Sequence, residues 1–184
     1  MPRSILRTLV LLLMVCGAAP AADKAGLWID VPFVVQQGEG CGAASIAMVM
    51  QYWQQHESLA ANPNAQYGLI ERALYSPGAH GIYASAMQRY LEQNGYKVFA
   101  FAGEWDDLTR NLAKGRPLIA ALKPGPRLPL HYVVVVGVDP ARKVVLVNDP
   151  AQRKLLEEDQ ARFEQAWKGA GHWTLLAVPD SAAH

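Results

Sequence analysis

Cys41 stands between Gly40 and Gly42, where a Gly-containing turn meets a long apolar run. A thiol in that place is set for nucleophilic attack. If the run is a helix, its unpaired first-turn N–H groups and the positive end of its dipole favour thiolate over thiol. The glycines leave the sulfur open to a substrate, and the Cys41 N–H would point toward a developing oxyanion. Gln36, five residues upstream, offers a side-chain amide as a second oxyanion donor, and its neighbour Gln37 offers the same. A cysteine nucleophile needs a base, and the base needs a group to orient it. Of the five histidines, His131 closes a Pro-rich loop and opens a Val-rich run, so a strand would hold it rigidly at the mouth of a cleft. His172, which starts the last predicted strand, is the second candidate. His56 and His184 read as solvated, and His80 lies in a Gly-flanked loop. Asp149, in Asn148-Asp149-Pro150, is the candidate orienting carboxylate, with Asn148 chemically able to do the same work.

Several elements must position these groups. Residues 27–35 read as an extended entry strand, with Pro32 suited to an edge. From Cys41 to about residue 54 the chain is apolar nearly all round, which predicts a central, buried helix. Short helices are expected at 67–74 and 83–94, a strand at 96–101, a helix at 104–114 and a strand at 117–122. The loop 123–130 is rich in Pro. Residues 132–138 are dominated by Val, as in a buried strand, and 144–147 is their expected antiparallel partner. Such a hairpin brings the start of one strand beside the end of the other, and so His131 beside Asp149. A helix near 157–168 and a strand at 172–178 close the chain. The fold class is α+β, a central helix against a mostly antiparallel sheet.

Length and composition narrow the function further. A chain of 184 residues, 51% apolar and 18% charged, is a folded chain of one ordinary domain rather than a disordered one. A net charge of +1 gives no electrostatic footprint for nucleic acid. Two cysteines and scattered histidines offer neither a disulfide scaffold nor a metal site, and no cofactor motif is present. Residues 1–21 read as a secretory signal peptide: Arg3 and Arg7, then the short apolar run Leu9 to Val15, then Ala19-Pro20-Ala21. A cut before Ala22 removes Cys16 and leaves Cys41 as the only thiol of a domain spanning 22–184, with no transmembrane segment. The expected location is periplasmic or extracellular. An exported protein with one unpaired cysteine keeps it as an inert core residue or as a working group.

The segment VPFVVQQGEGCGAASIAMVM resembles the nucleophile region of the double-glycine leader peptidases, papain-superfamily cysteine peptidases best known from bacteriocin-exporting ABC transporters. The segment HYVVVVGVDPARKVVLVNDPA resembles the histidine-to-aspartate region of the same family. The resemblance implies a papain-like fold, with Cys41 as nucleophile, Gln36 in the oxyanion hole, His131 as general base and acid, and Asp149 as the orienting residue. It implies a peptide or protein substrate and no cofactor. The chain departs from the exporter pattern at Gly40, where those domains commonly carry an acidic residue. No membrane or ATPase region follows in this sequence, so it is most similar to free-standing exported relatives, and any substrate-delivering partner is unidentified. The same site would serve acyl transfer to an amine or cleavage of cell-wall amides. A silent peptide-binding module on the same fold is the reading from a different class.

Overall fold

A computed structural model describes residues 26–57 and 61–180. The predicted signal segment and Cys16 lie outside the described residues.

The Cys41 helix, α1 (Cys41–His56), follows a two-residue strand, β1 (Leu27–Trp28), and an irregular extended segment. Next come α2 (Tyr67–Leu74), α3 (Ala84–Gln93), β2 (Tyr96–Ala102), α4 (Trp105–Leu112) and β3 (Leu118–Leu122). The chain ends with β4 (His131–Asp139), β5 (Val144–Asn148), β6 (Leu156–Asp159), α5 (Gln160–Gly169) and β7 (Trp173–Pro179). The strands form one sheet in the order β2-β7-β3-β4-β5-β6, with β1 also paired to β4. Every pairing is antiparallel.

The alternation of side chains along the central strands divides the interior in two. Ile119, Ala121, Tyr132, Val134, Val136, Leu175 and Ala177 join the residues of α1, α2 and α3 in one core. Leu118, Ala120, Val133, Val135 and Leu176 face the other way, against Leu108 and Leu112 of α4 and Phe163 and Trp167 of α5. The sheet therefore carries helices on both faces, which explains why its central strands are apolar without interruption. A bulge in β4 between Val135 and Gly137 resets the alternation, so that Val138 joins the second core. Gly137 is required there: a Cβ would lie 2.7 Å from Cβ of Trp28 and 2.8 Å from the Leu27 carbonyl oxygen, with no room to shift.

α1 is buried along nearly its whole length, from Cys41 to Met50 and again at Tyr52 and Trp53. Its far end is anchored by polar tips: the Trp53 indole donates to the Ala177 carbonyl at 2.9 Å, and the Tyr52 hydroxyl to the Gly115 carbonyl at 2.7 Å.

Two expectations need correction. The entry strand expected over 27–35 pairs only at Leu27 and Trp28. Beyond that point the chain crosses the end of the sheet, held by Ile29 N–H to the Val136 carbonyl and by Asn148 Nδ2 to the Val31 carbonyl at 3.1 Å. Pro32, which has no N–H, is compatible with such a crossing but not with a continuous ladder. The helix expected from about 157 begins at Gln160, because Leu156–Asp159 adds to β5 as an edge strand. The Asp159 carboxylate then caps the helix by accepting the Arg162 N–H at 3.0 Å.

Asn148 is fully buried and spent on structure. Besides its bond to Val31 it accepts the Leu155 N–H at 3.0 Å. Asn148→Ala orphans a carbonyl and an amide and should lower unfolding free energy by about 1–3 kcal/mol. A urea denaturation midpoint equal to that of the wild type would show that these bonds are not needed.

Candidate active site

The turn before Cys41 is built from residues 36–40. Gly38 has a φ of 53°, and the Gly40 N–H bonds the Gln37 carbonyl at 3.0 Å. α1 starts directly after it with Gly40 as a cap that contributes no side chain, so no side chain of the cap takes a first-turn N–H. Cys41 is a free thiol at 9% exposure, just reachable from outside. Gly42 is pressed by Ile82 and Tyr132, whose side-chain atoms would lie 3.2 and 3.5 Å from a Cβ at that position.

His131 and Asp149 meet at the end of the sheet. In the β4–β5 hairpin Val134 is opposite Asn148, which sets the start of β4 beside the end of β5. His131 Nε2 lies 2.7 Å from Asp149 Oδ1. Cys41 is close enough to the same imidazole to raise its proton affinity, and with Nε2 committed to the carboxylate, Nδ1 is the nitrogen left for the sulfur. Asp149 is almost fully buried and its charge is well satisfied: it also accepts the Ala151 N–H at 2.9 Å and the Gln152 side-chain amide at 2.6 Å. Burial works against its ionised form, but the bond to His131, the charge of His131 and these two donors together hold its pKa below the ordinary value. Burial likewise works against the His131 cation, yet the bonds to Asp149 and Cys41 and their negative charge push its pKa up to about 9.

The remaining candidates are placed as follows. Gln36 donates its Nε2 to the Gly38 carbonyl at 2.6 Å, while its Oε1 is buried without a partner. Its backbone N–H bonds the Pro150 carbonyl at 3.0 Å, which ties the turn before Cys41 to the residue following Asp149. Gln37 is exposed. Asn148, bonded to Val31 and Leu155, is not next to His131 as an acceptor. His172 pairs with Glu164 of α5 at 2.8 Å and stands edge-on to Trp167, in the layer on the other face of the sheet.

Two features escaped the sequence reading. Gln152 holds the outer oxygen of Asp149, and Tyr67 of α2 reaches back to the turn before Cys41. The Tyr67 hydroxyl accepts the Gln37 N–H at 2.9 Å and donates to Glu71 Oε1 at 2.7 Å. Burial, the bond to Glu71 and the nearby charges of Glu71 and Cys41 push its pKa up to about 12, over a smaller opposing pull from Gln37. No local pattern marks a tyrosine as the partner of a turn 30 residues away. Beside that turn opens a cavity of about 710 Å³ lined by Gln37, Gly38, Glu39, Glu71, Arg72, Tyr75 and Pro77. The loop 75–83 contributes Tyr75 and Pro77 to it. The loop 123–130 instead borders a hollow against α5.

The raised pKa of His131 has a direct consequence. Its protonated form stabilises the fold fully below about 6.5, and that contribution fades as pH rises through about 9. An NMR titration of the His131 ring should therefore show a midpoint near 9. Asp149→Ala should bring it down toward or below 6.5, because burial then acts with less opposition. An unchanged midpoint would remove Asp149 as the cause.

Comparison with known proteins bears on the fold and the family. No curated protein matches the chain. Among solved structures, a double glycine motif protease from an AMS/PCAT transporter, in complex with its leader peptide, is similar with a TM-score of 0.63 and 21% identity, over 83% of this chain and 94% of that one. The peptidase domain of Streptococcus ComA, a bi-functional ABC transporter involved in a quorum sensing pathway, gives 0.62 and 20%, over 82% and 99%. A protein from Bacillus anthracis described as a C39-like peptidase gives 0.62 and 19%, over 83% and 97%. These likenesses establish the α+β papain-like fold. The sequence profile of the Peptidase_C39 like family matches residues 28–174. By that match over most of its length, the chain belongs to the Peptidase_C39 like family of cysteine peptidases.

Proposed function

We propose that this protein is an exported cysteine peptidase that hydrolyses peptide bonds through Cys41, His131 and Asp149, with Gln36 as a side-chain oxyanion donor. The observation that carries the reading is the placement of one imidazole between the thiol at a helix N-terminus and a buried, fully hydrogen-bonded carboxylate. A histidine used only for packing has no need of both partners.

The chemistry follows from that geometry. With the proton already held on His131 Nδ1, as the high proton affinity of that imidazole favours, the Cys41 sulfur attacks the substrate carbonyl carbon. The carbonyl electron pair moves onto oxygen, where the Cys41 N–H and the Gln36 amide stabilise it. As the C–N bond breaks, Nδ1 returns its proton to the leaving amine, and a thioester remains on Cys41. Water, deprotonated by the same nitrogen, attacks the thioester. Collapse releases a carboxylic acid and restores the thiol. Throughout, Asp149 holds Nε2–H, which fixes the tautomer so that Nδ1 is free for proton transfer.

Peptide or protein substrates are proposed by family, and the cavity beside residues 37–39 is available to substrate side chains next to the scissile bond. The double glycine motif protease that shares this fold is seen in complex with the leader peptide. Export rests on residues 1–21, and a secreted form whose N-terminus is Ala22 is the expected product.

A peptide carrying a thiol-directed warhead should label Cys41, and Cys41→Ala should abolish both labelling and hydrolysis. His131→Ala should lower kcat by about a hundred- to ten-thousandfold, and Gln36→Ala by about a hundred- to a thousandfold. Peptide hydrolysis that survives Cys41→Ala, or labelling unaffected by His131→Ala, would sink the proposal.

A further inference from the structure

The reaction above makes no use of Tyr67, yet its hydroxyl sits at the centre of the turn leading into Cys41. It accepts the Gln37 N–H at 2.9 Å, lies 3.1 Å from the Gln37 carbonyl oxygen, and donates to Glu71 Oε1 at 2.7 Å. A tyrosine hydroxyl has one hydrogen to give. The shorter bond to a carboxylate takes it, and the Gln37 carbonyl is served instead by the Gly40 N–H at 3.0 Å. The hydroxyl also fills the space behind Gly40, where a Cβ would collide with it. One phenol thus touches both ends of the turn.

Other bonds brace the turn at Gln36, Gly38 and Glu39, namely Gln36 N–H to the Pro150 carbonyl, the Gln36 amide to the Gly38 carbonyl, and the Glu39 carboxylate to the Tyr75 hydroxyl and His80, but none of them takes the Gln37 N–H. Gln37, Gly38 and Glu39 are exposed, Gly38 is in the left-handed region, and the cavity opens on one side. Glycine-rich backbone that is exposed on one side has many conformations available. Oxyanion stabilisation, by contrast, depends on donors already aimed before charge develops.

We propose that Tyr67, held in place by Glu71, is a positioning residue: it fixes the turn 36–40 and so aims the Gln36 amide and the Cys41 N–H at the developing oxyanion. The proposal rests on the peptidase reading for the roles of those two groups. Tyr67 acts through the backbone of Gln37 and Gly40 and does not touch substrate.

Two reagents separate aim from reactivity. Acylation of Cys41 by p-nitrophenyl acetate forms the S–C bond through a tetrahedral oxyanion and expels p-nitrophenolate, so it depends on the donors. Alkylation by iodoacetamide forms the S–C bond as iodide leaves, with no oxyanion, and reports the thiol alone. Tyr67→Phe should slow acylation by about ten- to a hundredfold, while the alkylation rate and its pH profile stay at the wild-type values. Glu71→Gln, which keeps an acceptor for the hydroxyl, should be slowed less than Glu71→Ala. Acylation by Tyr67→Phe at the wild-type rate overturns the proposal. So does an equal fall in both rates, which would mean general loss of structure. If Tyr67→Phe does not fold, the Glu71 pair decides: equal acylation by Glu71→Ala and Glu71→Gln overturns it. A wild-type protein that is acylated but cleaves no peptide defeats the peptidase reading and leaves this inference standing. A wild-type protein that is not acylated at all defeats both.

Discussion

The site depends on a strap with almost no regular structure. Residues 29–36 cross the end of the sheet and are sewn to it at three points: Ile29 to the Val136 carbonyl, Val31 to the Asn148 side chain, and Gln36 to the Pro150 carbonyl. Two of those attachments lie on either side of Asp149. The strap therefore fixes the start of α1 against the residues that present His131 and its carboxylate. Without it, a helix bearing the thiol and a hairpin bearing the base would share a core but have no defined distance between their working ends. Backbone bonds of this kind are directional and short, and they set position where apolar packing sets only proximity.

Around that strap the electrostatics are arranged in layers. The carboxylate is buried and would be costly as an ion, but three donors converge on it. The imidazole is partly open, at 25% side-chain exposure, and gains its proton affinity from the two groups it bridges. Tyr67 and Tyr132 stand in the same neighbourhood, and burial with the charge of Cys41 pushes the pKa of Tyr132 up to about 12. Both phenols thus stay neutral at working pH and add no competing charge beside the sulfur. His131 and Tyr67 each meet a partner from a distant stretch of chain, while Ala151 and Gln152 complete the donors to Asp149 from its own turn.

Much of this was readable locally. The buried helix at Cys41, the Val-rich strand at His131 and the hairpin that sets Asp149 beside it all rest on strong, short-range patterns, and the observed elements agree to within a few residues. The expected extension of the entry strand fails because its pairing partner is a side chain, Asn148, and the end of a sheet rather than a neighbouring strand. The acidic stretch at Leu156–Asp159 carries the composition of a helical first turn, but an open edge at β5 claims it. Both misreadings occur where a long-range hydrogen bond outweighs local preference.

Residue type and spacing alone narrowed the candidates: Cys41 at a predicted helix start, His131 at a strand mouth with His172 as the second choice, and Asp149 or Asn148 at the end of the partner strand. Periodicity along the chain is enough for that, because 3.6- and 2-residue patterns report which face each element buries. The choices between near-equivalent neighbours needed the folded chain. Asn148 is consumed by Val31 and Leu155 while Asp149 meets His131, and His172 is drawn to Glu164 on the far side of the sheet. Adjacent residues share one local sequence, and only the partners that tertiary packing brings within hydrogen-bonding distance distinguish them.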